Sequence, residues 1–150
     1  MKNIIVVDID GTIAKVGDRL KYLQQEKKDW DSFYEHCDED EPIEDIIEIV
    51  KLFLSVPFNK IVFCTGRRSG VREKTVAWLG KLGFVQGFDY ELLMRPDGDN
   101  RHDTEVKPQL LLDRGIFPEN VICIFEDRDS MVAKWRELGY RCLQVADGKF

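Results

Sequence analysis

The run Ile4-Ile5-Val6-Val7, broken off at once by Asp8-Ile9-Asp10-Gly11-Thr12, constrains this chain more than any other stretch. Consecutive β-branched residues suit a strand buried on both faces, and such strands belong to parallel sheets covered by helices. The abrupt ending delivers two acids to the carboxyl end of that strand, where Gly11 lets the chain turn out of the sheet. Asp8 and Asp10 lie two apart, so in continuing extended backbone their side chains share a face. Paired carboxylates placed this way hold a hard cation or divide the roles of nucleophile and acid. The plain alternative for this stretch alone is a solvated Asp-Asp-Gly turn.

The rest of the chain repeats the arrangement. Lys60-Ile61-Val62-Phe63-Cys64 reads as a second buried strand ending in Thr65-Gly66-Arg67, and Glu91-Leu92-Leu93-Met94 as a weaker third. Val121-Ile122-Cys123-Ile124-Phe125 is a fourth, ending in Glu126-Asp127-Arg128, and Cys142-Leu143-Gln144-Val145 a fifth. Helical patterns fall between them. One opens with Pro42 in its first turn, carries Ile43, Ile46, Ile47, Val50 and Phe53, and stops before Pro57. A second covers residues 71–82 and is closed by Gly83. A third carries Val106, Lys107, Leu110 and Leu111, and a fourth runs through Met131, Val132, Trp135 and Leu138 to Gly139.

This alternation predicts an α/β fold: one Rossmann-like, three-layer α/β/α domain over residues 1–150 with a central, mainly parallel five-stranded sheet. With the first strand central, the second and third on one side and the fourth and fifth on the other, Asp8, Asp10, Thr65, Lys107 and Asp127 converge on one crevice. Unrelated surface charges have no reason to obey that geometry. Residues 15–41 form a small helical, cap-like insert after the first strand, with a polar helical stretch near Gln24 to Lys27. In it Trp30, Phe33, Tyr34 and Cys37 recur at helical spacing, either as ordinary packing or as a substrate-facing lid. The acidic run Asp38-Glu39-Asp40-Glu41 reads as a solvated helix start, and the segment from Arg95 to Asp103 as an exposed loop.

The formal net charge of −6 excludes a broad basic face that grips nucleic acid backbone and leaves room for a basic pocket around one phosphate. Cys37, Cys64, Cys123 and Cys142 are scattered with no Cys-x-x-Cys pair, so no zinc site is expected. No stretch resembles a signal peptide and no apolar run is long enough to span a bilayer, which predicts a soluble, cytoplasmic protein with no membrane partner.

Through Asp8-Ile9-Asp10-Gly11-Thr12, Thr65-Gly66-Arg67, Lys107 and Glu126-Asp127, the chain resembles the haloacid dehalogenase (HAD) superfamily of phosphotransferases over its full length. Within it, the chain looks most like the 3′-phosphatase domain of bacteriophage polynucleotide kinase-phosphatases. That likeness rests on Arg19, on Thr65-Gly66-Arg67-Arg68-Ser69-Gly70 and on Gly98-Asp99-Asn100-Arg101-His102-Asp103. It rests also on Asp127-Arg128 with Trp135-Arg136, and on the ending Gln144-Val145-Ala146-Asp147-Gly148-Lys149-Phe150.

The resemblance implies a HAD-like fold and a Mg2+-dependent phosphomonoesterase in which Asp8 is the nucleophile, forming an aspartyl-phosphate. Asp10 would then be general acid and base, with a pKa raised by a crowded anionic site. Thr65 would donate to the phosphoryl group and Lys107 neutralise charge on it and on Asp8. Asp8, Asp127 and the backbone carbonyl of Asp10 would hold Mg2+. Glu126 would orient Lys107, hold a metal-bound water, or simply balance the lysine. Arg19, Arg67 and Asp103 would line the substrate side. Their alternatives are a surface residue for Arg19, a salt bridge for Arg67 and a helix cap for Asp103; His102 carries no assignment.

The expected substrate is a 3′-phosphorylated polynucleotide end, with a free nucleotide or other small phosphate monoester as the second reading. The chain has no Gly-x-x-x-x-Gly-Lys-Ser/Thr stretch, so a kinase domain is not expected in it. A receiver-like signalling module is a third reading. It would require its phospho-acceptor Asp after a middle strand, where this chain has Met94-Arg95.

Overall fold

In the computed structural model, which describes residues 1–150, the chain runs β1 (Ile4–Val7), β2 (Ala14–Lys15), α1 (Trp30–Glu35), β3 (Glu41–Pro42), α2 (Glu44–Leu54) and β4 (Lys60–Arg68). It continues through α3 (Arg72–Lys81), β5 (Tyr90–Arg95), α4 (Asp103–Asp113), β6 (Val121–Glu126), α5 (Asp129–Glu137) and β7 (Cys142–Gln144). Five strands form one parallel sheet in the order β5-β4-β1-β6-β7, with β1 in the middle as its apolar run requires. The short β2 and β3 pair antiparallel outside it.

Alternation along β1 divides the core in two. Ile5 and Val7 pack with Ile47 and Val50 of α2 and Trp78 and Leu79 of α3 on one face. Val6 packs with Leu111 of α4 and Met131, Val132 and Trp135 of α5 on the other. Each such side chain contributes about 1.5–3 kcal/mol by leaving water, so a sheet buried on both faces is held from both sides. All the acids and cations that end the strands therefore project at one edge, while the helices close everything else.

Several local expectations are corrected. Pro42 does not start α2; it lies in β3 opposite Ala14, and the helix begins at Glu44 without a side-chain cap. Residues 24–27 are bends rather than helix, and the insert's first helical piece is a 3-10 turn over Asp18–Tyr22. The strand that was expected to stop at Cys64 continues as β4 to Arg68, with a register shift against β5 between Thr65 and Arg68. Such an irregularity re-aims side chains, here at the end of the strand that carries Thr65 and Arg67. Arg95 is not in an exposed loop: it ends β5 and is buried.

Candidate active site

The strand ends build the site. At the end of β1, the Asp8 carboxylate accepts from Lys107 Nζ at 2.7 Å on one oxygen and from the Thr12 hydroxyl at 2.8 Å on the other. Lys107 sits in the second turn of α4 and also donates to Glu126 Oε2 at 3.0 Å, so one buried ammonium serves two buried carboxylates. Glu126 closes β6, and its other oxygen accepts the backbone N–H of Asp127 at 3.3 Å. Thr12 also reaches Asp127 at 3.5 Å. Thr12 is fully buried and was assigned no role from sequence, although it stands inside the opening motif.

Asp8, Glu126 and Asp127 each present a carboxylate oxygen, all within 4.8 Å of one another. Burial foremost, then the charge of Glu126, push Asp8 up to about 8 against the pull of Lys107. Burial and the neighbouring Asp8 push Asp127 up to about 7. Asp8 and Glu126 hold Lys107 well above its usual range despite its burial. Three oxygen donors with one ammonium among them suit a hard divalent cation, which would supply the positive charge the cluster lacks. A Cβ at Gly11, where φ is +83°, would overlap Asp127 Oδ2, so glycine there is needed both for the turn and for the carboxylate's approach.

Asp10 belongs to a second network. Its carboxylate accepts from Arg19 NH2 at 2.6 Å and from Arg67 NH2 at 2.8 Å. Burial favours the protonated form, but the charges of Arg67 and Arg19 outweigh it and hold Asp10 down at about 2. This reverses the expectation of a raised pKa, because the anionic crowding falls on Asp8 and Asp127 while Asp10 faces guanidinium groups.

Arg19 is buried, not a surface residue, and it is fixed by Asp40 at 2.6 Å and by stacking over the Phe33 ring at 4.3 Å. Arg67 also donates to Thr75 at 3.2 Å. Asp40, expected as a solvated residue of an acidic run, is buried and lies within 3.6 Å of Arg67 as well. An acidic run looks solvated until its partners are known, and those partners, Arg19 and Arg67, lie far away in sequence.

Thr65 is buried at the same edge and accepts the Arg67 N–H at 3.1 Å, which leaves its own O–H proton to donate. Asp103 does not cap α4; His102 does, its Nδ1 accepting the Thr104 N–H at 3.2 Å. Asp103 instead pairs with Arg95 and, at 3.3 Å, with Arg128. Arg95 in turn donates to the Gly66 carbonyl at 2.9 Å, bracing the Thr65–Arg67 stretch from beneath. The structure thus gathers Asp8, Thr12, Lys107, Glu126 and Asp127 into one network and Asp10, Arg19, Arg67 and Asp40 into another. Thr65 and the Arg95–Asp103 pair lie beside them.

Residues 2–150 match the family described as the polynucleotide kinase PNKP phosphatase domain. The chain belongs to this family. It is 32% identical over 136 residues to a protein of Autographa californica nuclear polyhedrosis virus that carries the provisional name bifunctional polynucleotide kinase/RNA ligase; the match spans 89% of this chain and 18% of that protein. Among solved structures, a Pnkp1/Rnl/Hen1 complex contains a chain that is 28% identical and superposes with a TM-score of 0.83, over all of this chain and 47% of that one. A haloacid dehalogenase-like hydrolase from Streptococcus pneumoniae superposes with a TM-score of 0.63 at 15% identity over 95% of this chain and 84% of its own, which shows the fold. The chain thus spans less than half the length of its PNKP-type relatives. As a member of the PNKP phosphatase family it is a HAD-type phosphatase domain. No helix is long and apolar enough to cross a membrane.

Proposed function

We propose that this domain removes the phosphate from 3′-phosphorylated polynucleotide ends, with Asp8 as nucleophile and Mg2+ as cofactor. The observation that carries the reading is the Asp8 carboxylate itself, oriented through both oxygens by Lys107 and Thr12 within reach of Asp127. Asp8, Asp127 and the Asp10 backbone carbonyl would hold Mg2+, with Glu126 beside them, and the ion would neutralise phosphoryl oxygens. Glu126 acts chiefly by orienting Lys107 and the Asp127 backbone, since its two oxygens already serve those groups.

An Asp8 oxygen attacks phosphorus, the P–O3′ bond breaks, and Asp10 gives its proton to the leaving 3′ oxygen. Asp10 then takes a proton from the water that attacks the acyl-phosphate; the bond from phosphorus to Asp8 breaks and inorganic phosphate leaves. Throughout, Thr65 donates to the phosphoryl group and Lys107 offsets its charge. In the absence of substrate Asp10 is held ionised by Arg19 and Arg67. An incoming phosphate competes for both guanidinium groups, which bind planar oxyanions well, and that exchange frees Asp10 to carry a proton. Asp103 contributes through Arg95, holding the Thr65 and Arg67 backbone in place.

The test is phosphate release with Mg2+ from 3′-phosphorylated oligonucleotides, 3′-nucleotides and 5′-nucleotides, by the wild type and by Asp8→Asn. The wild type is expected to favour the 3′-phosphorylated oligonucleotide and Asp8→Asn to release nothing. Turnover by Asp8→Asn rejects the mechanism, and turnover of 5′-nucleotides alone rejects the substrate.

A further inference from the structure

Trp30 is half-exposed at 39%, whereas Trp78 and Trp135 are buried in the core. It stands at the start of α1, and its ring stacks on Tyr34 with centroids 6.0 Å apart and planes 24° apart. Tyr34 in turn reaches the catalytic edge: its hydroxyl donates to the Gly66 carbonyl at 3.3 Å, between Thr65 and Arg67. The aromatic pair therefore extends outward from the pocket rim. Cations flank it: Arg68 lies over the Tyr34 ring at 5.2 Å and Lys28 over the Trp30 ring at 5.8 Å. Phe33, on the same helix, is buried and packs edge-on against Trp30, so one side of the indole is anchored while the residue stays accessible.

We propose that Trp30 and Tyr34 form the platform on which the nucleobase next to the scissile phosphate stacks. This rests on the 3′-phosphatase reading above and names what that site recognises. Stacking on an aromatic face is the way proteins hold unpaired bases without choosing a sequence, and the gain per base is large enough to dominate the affinity of a short end. Arg68 pairs with Asp31 at 2.7 Å, but Asp31 is almost fully exposed, and an exposed pair of this kind is weak enough to be exchanged for a backbone phosphate. The formal charge of −6 makes the case stronger, because a chain without a broad basic face has to hold its substrate by some other means.

The test compares an oligonucleotide ending in a 3′-phosphorylated nucleoside, the same oligonucleotide ending in a 3′-phosphorylated abasic sugar, and glycerol 2-phosphate. Removing the terminal base should raise the wild-type KM about tenfold or more with little change in kcat. Trp30→Ala should show the same rise on the intact end, no further rise on the abasic end and unchanged kcat/KM on glycerol phosphate; Trp30→Phe should restore most of the loss. In Asp8→Asn protein, a single-stranded oligonucleotide should quench tryptophan emission, since Trp30 is the accessible tryptophan, and Trp30→Phe should abolish the quench. Equal KM values for the intact and abasic ends with the wild type overturn the platform, as does an equal loss on glycerol phosphate in Trp30→Ala. Failure of the wild type to release phosphate from any 3′-phosphorylated end instead overturns the reading on which it rests.

Discussion

At the scale of single residues, the site contains acids whose protonation is pulled in opposite directions at one edge of the sheet. Asp8 and Asp127 are pushed up from 3.8 to about 8 and about 7, while Asp10 is pulled down to about 2. A carboxyl that holds its proton more tightly folded than unfolded lowers stability as pH rises between the two values. Without metal, Asp8 and Asp127 should therefore cost the fold progressively more from about pH 4 to about pH 8. Asp10 acts oppositely: its contribution is present above pH 4 and lost as pH falls toward 2. On the proposed Mg2+ reading the ion would bind the ionised carboxylates, so it should raise the melting temperature more at pH 8 than at pH 5, as a calorimetric or fluorescence melt would read. An equal or larger shift at pH 5 would sink this account of the cluster. The residues that carry the argument were legible from sequence because each follows the carboxyl end of an apolar strand, β1 for Asp8 and Asp10 and β6 for Asp127. Asp40 and Arg95 were not: nothing near them in the chain shows that Asp40 meets Arg19 and Arg67, or that Arg95 meets the Gly66 carbonyl and Asp103.

At the scale of elements, the carboxyl-terminal segment after β7 secures the loop that presents Asp127. Val145 donates its N–H to the Glu126 carbonyl at 3.0 Å, Gln144 Nε2 donates to the Asp127 carbonyl at 2.9 Å, and the Asp129 N–H donates to the Gly148 carbonyl at 2.7 Å. A Cβ at Gly148 would overlap the Asp127 carbonyl oxygen. Gly148→Ala should therefore push the tail off this loop and move Asp127, the carboxylate proposed above as a Mg2+ ligand, without touching its side chain directly. We expect Mg2+ affinity to fall about tenfold to a hundredfold, in keeping with the loss of groups that orient metal ligands, with the sheet intact. Titration calorimetry with Mg2+ and circular dichroism separate the two effects; unchanged Mg2+ affinity would show that the tail does not position Asp127. Three of the sheet strands, β1, β4 and β6, were readable because β-branched runs between turn residues have few other uses, whereas β5 and β7 hold no β-branched residue and were read only as short apolar runs. Within the insert, the helical spacing that starts at Trp30 falls on α1, but the β2–β3 pair was not readable, since it is short and Pro42 satisfies the rules for a helix start as well as those for an edge strand.

At the scale of the whole molecule, charge and topology together limit how much substrate the domain can hold. The parallel sheet brings its polar strand ends to one edge, and there the buried cations Arg19, Arg67, Arg95 and Lys107 are already matched by Asp40, Asp10, Asp103, Asp8 and Glu126. With a formal net charge of −6, no excess positive field remains to track a long phosphate backbone. A protein that neutralises Z phosphates of a single strand loses affinity with salt at a logarithmic slope of about −0.7Z. For this domain Z should be small, about 1–2, set by the scissile phosphate and one neighbour near Arg68 or Lys28. KM for 3′-phosphorylated single strands should accordingly change little beyond a length of about three nucleotides and depend only weakly on salt between 50 and 200 mM. A slope near −4, or a KM that keeps falling as the strand grows, would overturn this account by requiring a cationic track along several phosphates. On the two proposals above, the aromatic pair on α1 would account for the difference: a domain that recognised an end by stacking one base and enclosing one phosphate would have no need of the rest of the strand.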